Sequence, residues 1–331
     1  MSPVAREVGL VRIIPPLLVL ALVSVLAVLA GLAIGSVSIP LPALWAVLQG
    51  EGEALHRTLI FDLRAPRVLA AFATGGLLAI AGALMQVLLR NPLADPYVLG
   101  LSGGAAVGAL LAMLAGMGAA VVSGSAFVGA LFSTILVFGL AHGTGSWTPT
   151  RLLLTGVVVA AGWGALITFM LAVGPAERLP GMLYWLMGDF SYARSPWPAM
   201  VMLVIAAVVL LPFGRSLNVL ARGPLQASAV GVSVRPLEWS VYIGASLLTA
   251  IAVTTAGTIG FVGLVVPHML RLVLGHDHRL LLPACAFAGG ALVVLADTLA
   301  RTILAPEQLP VGVITAMLGV PTFLYLLYRS R

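Results

Sequence analysis

Long apolar runs broken by short polar joints fill this chain, and they neither alternate nor resolve into a wet and a dry stripe. Ten runs stand out, at roughly 13–35, 66–89, 97–114, 122–141, 152–173, 196–213, 237–256, 258–275, 280–303 and 310–328. A helix of about 20 apolar residues crosses a bilayer, so the pattern predicts an all-α polytopic membrane protein. It reads as one transmembrane domain over 1–331 with about ten spans. The runs 97–114 and 258–275 are short and are expected to tilt or break. A membrane β-barrel would show short alternating segments, which these continuous runs do not.

The stretch Arg64 to Gly104 shows how the runs are built. Two arginines, Arg64 and Arg67, flank Pro66 before an apolar run to Leu89. Within it Gly75, Gly76, Ala79, Ala81, Gly82 and Ala83 permit close helix approach. The polar turn Arg90-Asn91-Pro92-Leu93-Ala94-Asp95-Pro96 follows, where the prolines stop helix propagation. A second Gly-rich run then begins.

Composition sharpens this reading. The chain is 61% hydrophobic and only 8% charged, too little charge to coat a soluble surface. The first run follows a short basic tail with Arg6 and Arg12, and its length favours a retained span over a signal-peptide core. All 17 basic residues are arginine. An ordinary phosphate-binding loop needs a lysine, so neither that loop nor a lysine Schiff base is expected on this chain. The single Cys285 excludes an intrachain disulfide and reads as a small buried hydrophobe.

The positive-inside rule orients the spans. With a cytoplasmic N-terminus, Arg57, Arg64, Arg67, Arg178, Arg194 and Arg301 fall outside, six of 17, and the other eleven inside. Glu51, Glu53, Asp62, Glu177, Asp189, Asp297 and Glu307 lean outward. Both termini are then cytoplasmic. Polar, Pro-rich joints lie outside at 36–63, 174–198 and 304–310, and the longest inner joint is 214–236.

Four ordered blocks carry a family resemblance: RAPR at 64–67; GALMQVLLRNPLADPYVLGLSGGAAVGA at 82–109; GTIGFVGLVVPHMLRLVLGHDHRLLLPACAFAGG at 257–290; and LADTLAR at 295–301 with QLPVGVITAMLGVPTFLYLL at 308–327. The chain resembles the FecCD-type permease subunits of bacterial ABC importers for metal chelates. That resemblance covers nearly its whole length. It implies a type II importer permease fold with ten helices per subunit, paired as a homodimer in the inner membrane. It also implies two cytoplasmic ABC ATPase subunits, which hold ATP and Mg, and a periplasmic substrate-binding protein. This chain is expected to bind no cofactor, metal or nucleic acid, and to be no enzyme itself. The expected cargo is haem or a ferric siderophore, with cobalamin as the alternative.

The resemblance also implies roles for residues. Arg64, Arg67 and Arg301 match docking contacts for the binding protein, against a plain reading as interfacial anchors. Asn91 and Leu93 match the cytoplasmic gate, against a plain reading as a hydrogen-bonded turn. Thr148 and Thr150 are weaker candidates for an opposing gate. The 214–236 joint matches a pair of short coupling helices in a cleft of the ATPase, bringing Ala221, Arg222, Gly223, Gln226, Ala227, Gly231 and Val232. A joint of this length exceeds what antiparallel helices require.

Other residues keep two readings. Pro267 is expected to kink its helix, and His268 is a packed histidine or a ligand. His276-Asp277-His278 reads as a loop rather than a metal tripod. Asp297, four residues before Arg301, permits an i, i+4 pair. Met85, Gln86, Met113, Met170 and Met187 are core filler or path lining. A secondary transporter driven by ion gradients is the competing class, but its usual charged residues near the bilayer midplane are lacking. An intramembrane enzyme finds no supporting constellation in the spans.

Overall fold

A computed structural model describes residues 3–35, 37–142, 148–193 and 195–329. Arg194 and Arg331, counted in the charge orientation, lie outside the described residues. In chain order the helices are α1 (Pro3–Ala33), α2 (Leu41–Leu48), α3 (Ala54–Arg57), α4 (Ala65–Leu88), α5 (Leu101–Leu114), α6 (Ala119–His142), α7 (Pro149–Val173) and α8 (Leu179–Met187). They continue with α9 (Trp197–Leu210), α10 (Gly214–Leu220), α11 (Pro224–Ala229), α12 (Val234–Ala256), α13 (Val262–Leu274), α14 (His278–Thr302) and α15 (Val311–Arg329). Among the described residues there is no strand, and each of the ten apolar runs holds one main helix.

One joint departs from expectation. Residues 36–63 do not form an open polar loop; they hold α2, α3 and a wide helical turn, Thr58–Arg64, that runs straight into α4. The reason is apolar: Ile39, Leu44, Val47 and Ile60 bury one another against Ala33 at the end of α1.

The bundle is organised around α4, which packs against α9, α12, α13 and α14. Small residues allow the contact. A methyl group on Gly75 would collide with the Gly289 carbonyl of α14, and one on Gly82 with the Gly263 carbonyl of α13. Dispersion and close backbone approach hold membrane helices together where lipid removes the hydrophobic drive. A second layer joins α5 to α6, α7 and α8 through Leu101, Ala105, Ala109, Ala126, Ala130, Met182 and Trp185.

Helices α5 and α13, with 14 and 13 residues, reach about 20 Å at 1.5 Å per residue, short of the roughly 30 Å hydrocarbon core. Their non-helical lead-ins are buried in protein, where such backbone is tolerated. The lead-ins also meet: the backbone N–H of Ile259 donates to the Tyr97 hydroxyl at 3.2 Å. Asp95 caps the tight turn before α5 by accepting from the Tyr97 N–H at 2.7 Å.

Candidate functional site

Two polar regions interrupt the apolar bundle, one at each end. The first gathers the ends of α1, α4 and α14. Helix α1 ends without a basic residue of its own, so its last carbonyls need donors from elsewhere. Arg64 supplies them: its Nη1 donates to the carbonyls of Leu32 at 2.7 Å and Ala33 at 2.9 Å, and its Nη2 to that of Val37. Arg301 Nη2 adds a bond to Gly31 O at 3.1 Å.

Asp297 is the shared anion of this region. It is 1% exposed and lies between two guanidinium groups. Arg67 donates to it through Nε and Nη2, at 3.1 and 2.8 Å. Arg301 Nε stands 3.0 Å from its second oxygen, an ion pair off the hydrogen-bond direction. Arg67 also reaches Gln308 at 2.8 Å and Ser191 at 3.3 Å, with Asp189 at 3.6 Å.

The three arginines singled out by sequence therefore converge, and the i, i+4 pair of Asp297 and Arg301 forms. Their geometry differs from an open patch: Arg64 and Arg301 are only 7% and 5% exposed. Orphan carbonyls and a buried carboxylate draw them inward. A cavity of about 570 Å³ still opens onto all three, beside Gln308 and Ser191. Sequence reading gave Gln308, Ser191 and Asp189 no role beside these arginines, because they come from two other joints, 174–198 and 304–310.

The second region lies at the opposite end of α4. There the turn reads as hydrogen-bonded: Asn91 Oδ1 accepts from the Leu93 N–H at 2.9 Å. Leu93 is exposed, and Pro92 of this turn lines a cavity together with His268 of α13. Thr148 caps α7 by accepting from the Arg151 N–H at 3.2 Å, and Thr150 is exposed in its first turn.

The 214–236 joint folds into the short pair α10 and α11. Gly223 turns the chain between them at φ 124°, a conformation left to glycine. Ala221, Arg222, Gln226 and Gly231 are exposed, and Gly223 and Val232 partly so. Ala227 is the exception, fully buried beneath α11, because a small side chain lets that helix seat on the bundle. It belongs to the packing of the joint, not to its surface. Sequence reading missed Leu225 and Val230, apolar yet 85% and 67% exposed on the same pair.

Beside α10, Asn218 ties the joint to α14. Its Nδ2 donates to Asp277 at 2.9 Å, and its Oδ1 accepts from the backbone N–H of His278 at 2.8 Å. Burial works against the Asp277 carboxyl, yet hydrogen bonds from Arg279 and Asn218 hold it down to about 2. Among the described residues, no three His, Cys, Asp or Glu side chains gather as a metal site. Met85 and Met170 are buried in the bundle, whereas Met113 borders an outer cavity and Met187 is exposed.

Comparison with known proteins agrees with this architecture. The FecCD transport family matches residues 21–329. The vitamin B12 import system permease protein BtuC of Escherichia coli O127:H6 is 38% identical over 317 residues, 95% of this chain and 95% of that protein. The hemin transport system permease protein HmuU of Yersinia pestis is 36% identical over 333 residues, covering 96% and 97%. Among solved structures, an inward-facing conformation of a metal-chelate type ABC transporter matches with a TM-score of 0.83 and 30% identity, over 95% of this chain and 98% of that one.

Proposed function

The chain belongs to the FecCD transport family of ABC import permeases, and on that premise we propose that it carries a metal chelate from periplasm to cytoplasm. Haem or a ferric siderophore is the favoured cargo and cobalamin the alternative. The observation that carries this reading is the match of nearly the whole bundle to a metal-chelate type transporter. The relatives that transport B12 and hemin are similar to this chain to almost the same degree, and both cargoes are metal complexes of large tetrapyrrole rings.

In this reading two copies of the chain enclose the path, with both termini cytoplasmic. Two ATPase subunits engage the α10–α11 pair of each copy, and a binding protein delivers cargo at the arginine cavity. Carboxylates of that protein would enter the cavity and gain charge-assisted bonds. They would compete with Asp297 and the α1 carbonyls, so docking and rearrangement of the helix ends are coupled. Asn91 and Leu93, beside α10, would close the inner end of the path until the ATPase moves the joint.

The test is uptake into proteoliposomes holding the permease, its ATPase and its binding protein. ATP-dependent accumulation of one chelate among haem, a ferric siderophore and cobalamin is expected, with docking weakened by salt. Accumulation that follows an ion gradient without ATP would overturn the proposal.

A further inference from the structure

The largest cavity bordering the α10–α11 end, about 750 Å³, lies between the end of α4, α10, α13 and the start of α14. Positive groups predominate on its lining, with Asp277 as the carboxylate among them. Arg90, Arg222 and Arg271 line it. Of the nearby carboxylates, Asp277 is engaged by Arg279 at 2.6 Å and by Asn218 at 2.9 Å, and Glu238 lies within charge range of Arg90. Arginine recognises oxyanions through its planar fork of donors.

Buried polar atoms among the lining residues lack partners. Arg271 Nη2 is a donor without an acceptor, while Gln86 Oε1 and His278 Nε2 have no partner of their own. Gln86 and His278 are only 4% and 3% exposed. Such atoms are costly when left unsatisfied, and the residues that carry these three all line this cavity.

The hydrogen bonds fix what that occupant must offer. Asn218 Nδ2 donates to Asp277, so Asn218 Oδ1 is the acceptor facing His278 Nδ1 at 2.7 Å. His278 therefore carries its proton on Nδ1 and presents Nε2 as a bare acceptor. Gln86 Nε2 donates to the Leu264 carbonyl at 3.2 Å, which leaves Oε1 as a second acceptor. The ligand must bring negative oxygens for the arginines and an O–H for these acceptors.

We propose that this cavity binds a protonated phosphate group, either inorganic phosphate or the monoester headgroup of a phospholipid such as phosphatidic acid. Inorganic phosphate and a phosphomonoester carry charge and O–H on the phosphate itself; sulfate carries charge alone, and a phosphodiester such as phosphatidylglycerol carries its O–H on the glycerol, away from the anionic oxygens. Leu272, 65% exposed at the rim, is placed to meet an acyl chain. Arg90 and Pro92 belong to the turn that holds Asn91 and Leu93, so occupancy bears on that turn.

The experiment uses the intact permease, delipidated in neutral detergent and titrated calorimetrically with inorganic phosphate and with sulfate. Native mass spectrometry measures retention of phosphatidic acid against phosphatidylcholine. Saturable phosphate binding is expected, with a preference over sulfate of about tenfold or more, since sulfate leaves two buried acceptors unpaired. Arg271→Gln should weaken it by a similar factor. Arg90→Asn should do the same while sparing the fold, because Arg90 sits at φ 49°, where asparagine is well tolerated. Phosphatidic acid retained and displaced by phosphate identifies the lipid as the source; phosphate binding without lipid retention identifies the free anion. Absence of saturable binding, equal affinity for sulfate, or affinity unchanged in both variants overturns the proposal. So does loss of phosphate binding on assembly with the ATPase, which would make the cavity a seat for acidic side chains of that protein.

Discussion

At the scale of single residues, the arginines of the outer end are spent on backbone carbonyls and on Asp297. Arg64 and Arg301 satisfy the last carbonyls of α1, and Arg178 does the same for α5 by donating to Met113 at 2.9 Å and to Leu114. Neither helix has a basic residue in its own last turn. Asp297 is the residue on which the outer network turns, because removing a buried ion-pair partner strands the charges left behind. Asp297→Asn keeps the shape but leaves Arg301 without its anion and Arg67 with only the longer contact to Asp189 at 3.6 Å, and is expected to cost about 3–5 kcal/mol. Arg279→Gln breaks the more exposed pair with Asp277 and should cost about 1 kcal/mol or less. Thermal unfolding of the two variants in detergent compares them. Equal shifts in midpoint would show that the Asp297 network contributes no more than a surface pair.

At the scale of elements, glycine placement decides how closely α4 lies against its neighbours. Gly82 meets the Gly263 carbonyl, whereas a methyl on Gly244 of α12 would find its nearest atom, on Leu84, at 4.0 Å. Gly82→Ala should push α13 outward and lower stability by about 1–3 kcal/mol, while Gly244→Ala should be neutral or slightly stabilising. Unfolding midpoints test both; a harmless Gly82→Ala would mean the helices do not approach as closely as the backbone indicates. The ten helices were legible because lipid demands long continuous apolar runs, and the small residues of α4 announced close helix approach, though not that α4 would be the central helix. Helices α2 and α3 were not legible, since at 8 and 4 residues they are too short to register as spans, and the apolar residues around them pack only within a local cluster. The inward turn of Arg64 and Arg67 was equally hidden: Arg67 meets Asp297 across 230 positions, and no spacing rule connects them. The i, i+4 pair of Asp297 with Arg301 was readable because helix geometry alone creates it.

At the scale of the whole molecule, the bundle shows where force can enter. The α10–α11 pair stands apart: α10 is bent 73° from α9 at one side, and Asn218 ties it to α14 at the other. Leu217 and Leu220 of α10 also join the main apolar core, so a push on the pair bears on α9, on the cap of α14 and on that core. Leu225 and Val230 sit on the free surface of the pair, and exposed apolar residues on a water-facing element mark a contact surface when they cluster. If the ATPase grips this surface, Leu225 is a principal anchor. Burying a leucine is worth about 2 kcal/mol, or roughly thirtyfold in affinity. Leu225→Ala is therefore expected to weaken ATPase association by about that factor, and Leu225→Asp to weaken it further by placing a charge in an apolar seat. Neither should change the unfolding midpoint of the permease alone, because the side chain is already 85% exposed. The measurement is co-purification and ATP-driven uptake with each variant beside Ala227→Leu, which enlarges a fully buried side chain and should disturb the joint itself. Normal association and uptake with Leu225→Asp would move the point of force away from α11 and leave the short helix pair as a structural clasp between α9 and α14.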